Sequence, residues 1–458
     1  MKAIQISLLQ EGTPTISLAD VPKPVVEHPQ EAVVRVLAVG LDGTDREILQ
    51  QHYGVPPEGE DALITGHESL GVVVEAGADC GLSPGDLVTA LVRRPCKEQS
   101  CVNCRNGHAD FCQTGRYTER GIRGANGFLT EYYKEEGRYL IPIPSDLLEV
   151  GMLAEPQSIV EKVWDQVQRV QQRLIWEPRT ALVLGSGPLG LLAAATCRLL
   201  GLETHVWSMS PADSLAAQLV RDCGAEYRQA PGAAAADAGG AAGASGGAAS
   251  PAGGSAADGA GEAGEIAASA VPAKGAGGKE QASAAAAPQS PPAKGAAPSG
   301  SGSGAALGSG LSAYVDSLGR PVDLIFECTG YSPLAFEAMG ALGPNGVLAL
   351  LGVTPADRKL EIPSDALNQE IVLENKCVLG SVNASRKDFE TGLYRLGEMQ
   401  RRYPELLAGL ITNRLKLEDV PQLDFAQIPI KAVVDVVPQA QWADMVKPST
   451  EPAYSFSV

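Results

Sequence analysis

A short apolar strand, a glycine-rich turn and an apolar helix follow one another between Ala181 and Leu200. In such a unit the first glycine permits the tight turn, the second lets the backbone approach a pyrophosphate, and the third lets the helix pack on the strand. The N-terminus of the helix adds N–H donors and the positive end of its dipole. Against the alternative of a purely structural turn, the pattern predicts a dinucleotide site at Gly185, Gly187, Pro188, Leu189 and Gly190.

The tip of the following strand indicates which dinucleotide the site prefers. It reads Trp207-Ser208-Met209-Ser210 and has no carboxylate to hold a ribose 2′-hydroxyl. Hydroxyl groups at Ser208 and Ser210 can instead donate to a 2′-phosphate without repelling it. No arginine follows immediately. We therefore expect a preference for NADP, with NAD tolerated.

Helices and strands alternate in the second half of the chain. Apolar residues repeat at helical spacing from Ile159 to Leu174. Predicted strands, separated by helical runs, then follow at Ala181–Leu184, Thr204–Trp207, Val322–Cys328 and Gly346–Leu351. The alternation predicts an α/β fold in which helices cover both faces of a doubly wound, Rossmann-type parallel sheet.

The first part of the chain has a different sequence pattern. Up to about residue 154 it consists of short β-type runs separated by glycine and proline turns, which predicts a mostly antiparallel, barrel-like domain. A last β-run, Lys431–Val436, could return to that domain. We therefore predict a β-rich domain at 1–156, a dinucleotide-binding domain at 157–382, and a return to the β-rich domain at 383–458.

One segment interrupts the second domain. Residues 230–310 are almost entirely alanine, glycine, serine and proline, so they cannot bury enough apolar area to offset the entropy of ordering. The alternation of predicted strands and helices continues on both sides of this segment. We predict a disordered surface insertion, with a regulatory or tethering segment as the alternative.

Composition restricts the classes of partner. The formal net charge of −18 disfavours binding to nucleic acid or to anionic membranes. The N-terminal residues lack the pattern of a secretory or transit peptide, and no apolar run is long enough to span a bilayer. The nine cysteines, four of them clustered, fit metal binding better than a disulfide framework. We expect a cytoplasmic enzyme.

The clustered cysteines form a compact motif, in which Cys96, Cys101, Cys104 and Cys112 have spacings of four, two and seven residues. Four thiolates suit a closed, tetrahedral structural zinc site. Disulfides and buried free thiols are the alternatives.

A second polar constellation is scattered along the chain. It comprises Asp42-Gly43-Thr44-Asp45, Gly66-His67-Glu68 and Ala154-Glu155-Pro156. The spacing Gly66-His67-Glu68-x2-Gly71-x5-Gly77-x2-Cys80 resembles the zinc signature of the medium-chain dehydrogenases, and the cysteine cluster and glycine loop follow in that family's order. The resemblance covers the whole chain except the insertion. It implies a GroES-like catalytic domain joined to the Rossmann-type domain.

Most of that family has cysteine at the position of Asp42. With aspartate there, the sequence resembles the glucose dehydrogenase branch known from archaea. The resemblance implies a catalytic zinc held by Asp42, His67 and Glu155, with Glu68 near the metal or exchanging with its ligands. It also implies proton relay through Thr44. Contacts to sugar are implied for Glu119 and Glu155, and Asn383 is implied to lie near both substrate and nicotinamide.

The reaction implied is oxidation of the anomeric hydroxyl of an aldose, glucose above all, to the lactone, with the hydride passing to NADP or NAD. Two alternatives stay open: a polyol or simple alcohol dehydrogenase with the same mechanism, and a non-catalytic module that binds the cofactor. The family resemblance also implies a homo-oligomer, either a dimer or a tetramer. Glu161 is a candidate for a further polar contact to the sugar, but we expect it to be an exposed helix residue, since charged side chains are mostly exposed.

Overall fold

The computed structural model describes residues 1–7, 15–51, 54–231, 310–353 and 359–449, without the side chains of Gln50 and Gln51. Its strands are β1 (Lys2–Ser7), β2 (Thr15–Asp20), β3 (Glu31–Leu41), β4 (Ala62–Ile64), β5 (Glu68–Ala76), β6 (Leu87–Ala90), β7 (Arg93–Arg94), β8 (Thr118–Arg120), β9 (Gly124–Ala125), β10 (Tyr132–Glu136), β11 (Leu140–Pro142), β12 (Thr180–Leu184), β13 (Glu203–Ser208), β14 (Glu226–Gln229), β15 (Leu324–Glu327), β16 (Val347–Leu350), β17 (Cys377–Gly380), β18 (Ile411–Lys416) and β19 (Lys431–Asp435). Its helices are α1 (Gly43–Gln51), α2 (Val102–Arg105), α3 (Ala154–Gln171), α4 (Pro188–Leu199), α5 (Leu215–Asp222), α6 (Leu311–Ser317), α7 (Ser332–Ala341), α8 (Ser364–Leu373), α9 (Arg386–Arg402), α10 (Pro404–Leu410) and α11 (Trp442–Met445).

The largest sheet belongs to the β-rich half and is mostly antiparallel, as predicted. Its strands run in the order β11-β6-β5-β3-β19-β18, and β10 also pairs with β3. Strand β3 pairs antiparallel with both β5 and β19. The C-terminal β-run thus pairs with the first part of the chain. The domain boundaries at 156 and 382 remain predictions.

The register of these three strands determines where the functional side chains lie. Gly40 of β3 pairs with Glu68 at the start of β5, and Leu41 pairs with Ala432 of β19. Asp42 follows β3 directly, and His67 precedes β5 directly. Residues far apart in the sequence are therefore placed together at one end of the sheet.

The second half of the chain forms the predicted parallel sheet. Its six strands run in the order β14-β13-β12-β15-β16-β17, and every neighbouring pair is parallel. The order reverses between β12 and β15, so the crevice beyond their carboxyl ends is where an open sheet of this kind binds a ligand. Sequence patterning did not predict the short outer strands β14 and β17.

Helix α3 connects the β-rich half with the parallel sheet. Val160, Val163 and Val167 are buried in the same apolar cluster as residues of α4 and α9. The helix begins at Ala154, so Glu155 lies in its first turn, where a carboxylate interacts favourably with the helix dipole. Glu155 is thus carried on a rigid element that faces the β-rich half.

The predicted disordered insertion, 230–310, lies outside the described residues except for Ala230, Pro231 and Gly310. Within the described ranges no helix is long and apolar enough to cross a membrane.

Candidate functional site

An aspartate and an imidazole meet where β3 ends and β5 begins. His67 Nε2 lies 3.6 Å from Asp42 Oδ2, and His67 Nδ1 lies 3.9 Å from Asp45 Oδ2. His67 is 4% exposed, and its Nδ1 has no hydrogen-bond partner among the described residues. A buried polar atom without a partner is costly, so this ring suits a site that binds a ligand or metal.

Two more carboxylates approach His67 from β5 and α3. His67, Glu68 and Glu155 each offer a ligand atom within 4.8 Å of the others, and Asp42, Asp45 and His67 form a second such group. The three residues implied as zinc ligands are thus gathered around His67. Asp42 and Glu155 belong to different groups, and His67 is the member that the groups share.

The charges of this cluster fit a divalent cation. Burial raises the pKa of Glu155 to about 8, with repulsion from Glu68 and Asp42 adding to the shift. Burial also raises the pKa of Asp45 to about 7. Burial opposes the charged imidazole of His67, but the surrounding carboxylates outweigh it and raise the pKa to about 9. Burial and mutual repulsion thus raise the pKa of three of the four carboxylates, Asp45, Glu68 and Glu155, and a divalent cation would relieve this crowding of negative charge.

A buried lysine faces the same cluster. Lys431, at the start of β19, lies 2.5 Å from Glu68 Oε2 through its Nζ, and the two side chains are 0% and 1% exposed. Lys431 Nζ also donates to the Leu41 carbonyl over 3.3 Å. Gly40 makes room for the pair, because a Cβ there would lie 1.9 Å from Glu68 Oε2. Sequence reasoning missed Lys431, whose only signal was a charged residue opening an apolar strand.

The loop after β3 positions Asp42 through its neighbours. Thr44 donates from its backbone N–H to Asp42 Oδ1 over 2.8 Å and from its hydroxyl to Asp42 Oδ2 over 3.3 Å. Asp45 is also fixed, since its Oδ1 accepts from Thr65 Oγ1 at 3.1 Å and from Gly66 N at 3.2 Å. Asp45 therefore holds the segment that carries His67. Its role was missed, although it lies within the motif that carried the resemblance.

Glu119 and Asn383 lie together, although 264 residues separate them in the sequence. Asn383 Nδ2 donates to Glu119 Oε1 over 3.0 Å. The backbone of Asn383 has φ = 60°, a left-handed conformation that asparagine tolerates better than most residues. Arg93, which sequence reasoning also missed, donates to the same oxygen from Nε at 3.1 Å and from Nη2 at 2.9 Å.

The four clustered cysteines fit a structural metal. Their sulfur atoms all lie within 4.8 Å of one another, and all are free thiols. The closest recorded contact, Cys101 Sγ to Cys112 Sγ, is 3.9 Å, far longer than a disulfide bond of about 2.05 Å. Burial disfavours the thiolate of Cys112, but Thr114 and the neighbouring thiols lower its pKa to about 6. The disulfide alternative is wrong for the structure described.

The glycine loop has the shape that a pyrophosphate needs. Gly185 has φ = 103°, and a Cβ on Gly190 would lie 2.2 Å from the Gly185 carbonyl oxygen. A Cβ on Gly187 would meet nothing within 4 Å, so this glycine lies on the open side of the loop. Pro188 and Leu189 begin α4, whose N-terminus follows the turn. The loop therefore leaves its backbone accessible to a dinucleotide phosphate.

The serines at the tip of β13 belong to one hydroxyl cluster. Ser186 Oγ lies 2.8 Å from Ser208 Oγ and 3.3 Å from Ser210 Oγ. The cluster joins the glycine loop to the strand tip, and Tyr227 fixes it by donating to the Ser210 carbonyl over 2.6 Å.

The expectation for Glu161 is wrong. Its side chain is 2% exposed and pairs with Arg395, whose Nε lies 2.9 Å from Glu161 Oε1. The helical pattern of α3 hid this pair, because the partner arginine comes from α9.

Comparisons with known proteins agree with this geometry. Residues 148–243 and 308–436 match the family described as "Glucose dehydrogenase C-terminus", and residues 28–145 match "Alcohol dehydrogenase GroES-like domain". The match skips residues 244–307, which lie within the predicted insertion. The chain is 34% identical to the glucose 1-dehydrogenase of Methanocella arvoryzae over 441 residues, covering 95% of this chain and 99% of the relative. It is 31% identical to glucose 1-dehydrogenase 2 of Vulcanisaeta moutnovskia, again covering 95% and 99%.

A solved structure of similar fold contains the groups for which this site is suited. The glucose dehydrogenase of Haloferax mediterranei, in complex with NADP, Zn and gluconolactone, has a TM-score of 0.72 and 28% identity, with coverage of 96% of this chain and 100% of that one. Galactitol-1-phosphate dehydrogenase from Escherichia coli, at 20% identity and a TM-score of 0.64, shares the fold. The predicted GroES-like and Rossmann-type fold class is thereby confirmed. The chain belongs to the zinc-containing medium-chain dehydrogenase/reductase family, in its glucose 1-dehydrogenase branch.

Proposed function

We propose that this protein is a zinc-dependent glucose 1-dehydrogenase, which oxidises the anomeric hydroxyl of glucose to the lactone and passes the hydride to NADP or NAD. The observation that carries the proposal is the convergence of carboxylates from β3, β5 and α3 on His67. The relatives named above support the choice of sugar and cofactor.

Zinc would be held by Asp42, His67 and Glu155, with Glu68 as a ligand that exchanges or stays beside the ion. When bound, the ion would act as a Lewis acid that lowers the pKa of the sugar hydroxyl. Asp42 keeps a negative charge for this purpose: burial raises its pKa, but His67, Lys431 and backbone N–H groups outweigh burial and lower it. The ligand set contains no thiolate, so the site is harder than a cysteine-bearing one.

Proton transfer and substrate orientation would fall to other side chains. The Thr44 hydroxyl would receive a proton from the substrate and pass it outward, and its hydrogen bond to Asp42 Oδ2 over 3.3 Å supports this role. Glu119, with Asn383 beside it, would accept a hydroxyl of the sugar. Convergent polar groups of this kind are needed, because an unpaired hydroxyl is costly to bury.

The cysteine cluster would hold a second, structural zinc through Cys96, Cys101, Cys104 and Cys112. The cofactor would lie along Gly185, Gly187, Pro188, Leu189 and Gly190. The hydroxyl cluster formed by Ser186, Ser208 and Ser210 supports NADP, because it would donate to a 2′-phosphate and offers no carboxylate to repel it.

The assembly and compartment belong to the same proposal. Val372 and Leu373 of α8 are 63% and 69% exposed, which supports a homo-oligomer, a dimer or a tetramer. All nine cysteines are free thiols, which supports a cytoplasmic location. The proposed domain ranges are 1–156, 157–382 and 383–458.

The test follows the absorbance of the reduced nicotinamide. Purified protein is mixed with NADP or NAD and a panel of aldoses, polyols and simple alcohols, with and without a zinc chelator. Chelator-sensitive reduction with glucose supports the proposal, whereas activity with alcohols alone would favour the polyol or alcohol alternative. No reduction of either cofactor with any substrate would favour a non-catalytic module that binds the cofactor.

A pair of histidine variants sharpens the test. His67→Ala should remove about one zinc per chain and abolish turnover, because imidazole is the central ligand. His108→Ala is the matched control, because His108 is exposed and lies within the segment 96–112 that carries the four cysteines, here called the cysteine lobe. This variant should retain both zinc and activity. Equal zinc content in the two variants would contradict the assigned metal centre.

A further inference from the structure

Glu119 is held by a buried arginine that also binds the cysteine lobe. Arg93 donates to Glu119 Oε1 through Nε and Nη2, and its Nη1 donates to the Asp110 carbonyl over 3.1 Å. Arg93 precedes Cys96 by three residues, and Asp110 precedes Cys112 by two. One guanidinium group therefore spans the distance between the lobe and Glu119.

A second buried ion pair joins the same lobe to the segment of Asn383. Lys162 of α3 lies 2.8 Å from Asp110 Oδ2 through its Nζ, and both side chains are 4% exposed. Lys162 Nζ also donates to the Val382 carbonyl over 3.0 Å. Asp110 Oδ1 has no hydrogen-bond partner within the described ranges, so Lys162 is the cation that compensates this carboxylate.

The contacts close into a ring. It runs from Arg93 to Asp110, Lys162 and Val382, continues through Asn383, and returns by way of Glu119. The two cations and two carboxylates balance in charge. All three donors to the Glu119 carboxylate converge on Oε1, and within the described residues Oε2 accepts no hydrogen bond. The ring thus fixes one carboxylate oxygen and leaves the other for a ligand.

We propose that Arg93, Asp110 and Lys162 are positioning residues that couple the four-cysteine lobe to sugar recognition by Glu119. The inference rests on the proposed function of Glu119 as a sugar contact. A metal held by the lobe would fix the two chain segments that carry Arg93 and Asp110, and would thereby determine where Glu119 Oε2 lies. The lobe therefore serves substrate specificity as well as stability.

The experiment compares glucose with its monodeoxy analogues in the zinc-loaded, full-length enzyme. For each analogue, the penalty is the factor by which loss of one hydroxyl lowers kcat/KM relative to glucose. The hydroxyl that Glu119 binds is the one whose penalty is smaller in the Glu119→Gln variant than in the wild type. Lys162→Met should reduce the penalty for the same hydroxyl. It should also raise KM for glucose about tenfold, which corresponds to the loss of one hydrogen bond to a charged group, while kcat changes much less. Cys112→Ser should act in the same direction and also lower the zinc content.

The matched control is Arg395→Met, which breaks the ion pair to Glu161 on the same helix, α3, where the arginine and glutamate side chains are 14% and 2% exposed. It should lower the melting temperature as Lys162→Met does, but leave the deoxy-sugar penalties unchanged. Double substitution of Asp110→Asn with Lys162→Met should restore stability without restoring the penalty.

Three outcomes would overturn the inference. One is a Lys162→Met enzyme that discriminates among deoxy sugars as the wild type does. Another is equal loss of discrimination in the Arg395→Met control, which would indicate a general structural effect. The third is a Glu119→Gln enzyme with every penalty intact. If the wild type oxidises glucose, either of the first two outcomes overturns only the ring inference, whereas the third also removes the proposed sugar contact of Glu119. If the wild type oxidises no sugar, the proposed function fails as well.

Discussion

Lys431 Nζ lies 2.5 Å from Glu68 Oε2, and neither side chain reaches solvent. The pair joins β19 to β5 across the end of β3, where Gly40 leaves room for it. An ammonium group at this point offsets part of the negative charge that the surrounding carboxylates bring. It also gives Glu68 a partner within the protein, so we expect the pair to compete with a bound zinc for this carboxylate.

Replacing Lys431 by methionine should therefore destabilise the fold. The change leaves the Glu68 carboxylate buried without its counter-charge, which typically costs about 3 to 5 kcal/mol. Urea unfolding of the two proteins would measure the difference. Lys431→Met combined with Glu68→Gln should recover much of the loss, because no buried charge is left unpaired.

The exposed pair Lys2–Asp20 provides the control for that measurement. Its two side chains are 45% and 78% exposed, and Lys2→Met should cost less than about 1 kcal/mol. A Lys431→Met protein as stable as Lys2→Met would contradict the importance of the buried pair.

Zinc uptake at the catalytic centre should release protons. The pKa values of His67 and Glu155 are raised to about 9 and about 8, so both groups carry a proton at pH 7 before the metal binds. Zinc binds the deprotonated forms, so its apparent affinity should rise as the pH increases from 6 towards 9. Calorimetry of the zinc-depleted enzyme in buffers of different ionisation enthalpy would count the protons released.

Two variants test whether the released protons come from the catalytic centre. Glu155→Gln should reduce the proton release at pH 7, while His108→Ala should leave it unchanged. Zinc affinity that is independent of pH over this range would contradict the carboxylate–imidazole assignment.

A carboxylate at the tip of β13 should reverse the cofactor preference. Ser208→Asp places a negative charge beside Ser186 and Ser210, where it would repel a 2′-phosphate and could bind a ribose 2′-hydroxyl. We expect KM for NADP to rise at least about tenfold, by the repulsion expected between like charges, with little change for NAD. Steady-state kinetics with both cofactors would test this. Ser317→Asp, on the exposed end of α6, is the control and should alter neither KM.

The parts of the site that could be predicted from sequence are those in which the chemistry is contiguous. The glycine loop and the cysteine cluster each lie within one short stretch, so spacing alone indicates their chemistry. Asp42, His67 and Glu155 are far apart in the chain, and only the family resemblance joined them. Nothing near Asp42 in the sequence indicates that β5 and α3 begin beside it.

The basic residues were missed for a different reason. Arg93, Lys162 and Lys431 lie on elements where a charge normally faces solvent, so pattern reasoning assigns them to the surface. Their partners lie on other elements, and tertiary pairing is absent from local patterns. The wrong expectation for Glu161 has the same cause. Apart from the short outer strands β14 and β17, buried ion pairs are therefore what sequence reasoning leaves out of this fold.

Removal of the insertion should leave the enzyme intact. A Cβ on Gly310 would lie 3.3 Å from Pro231 Cγ, so the chain on the two sides of residues 232–309 comes together at one point. His205 and Trp207 of β13 contact Tyr314 of α6, which fastens the segment after the insertion to the parallel sheet. A short glycine–serine linker in place of 232–309 would therefore join neighbouring ends. Because loop closure depends only weakly on length, the melting temperature should change by no more than a few degrees. Zinc content, glucose turnover and KM for NADP should match those of the full chain, and a loss of more than about tenfold in kcat/KM, equivalent to about 1.4 kcal/mol, would show that residues 232–309 contribute to catalysis.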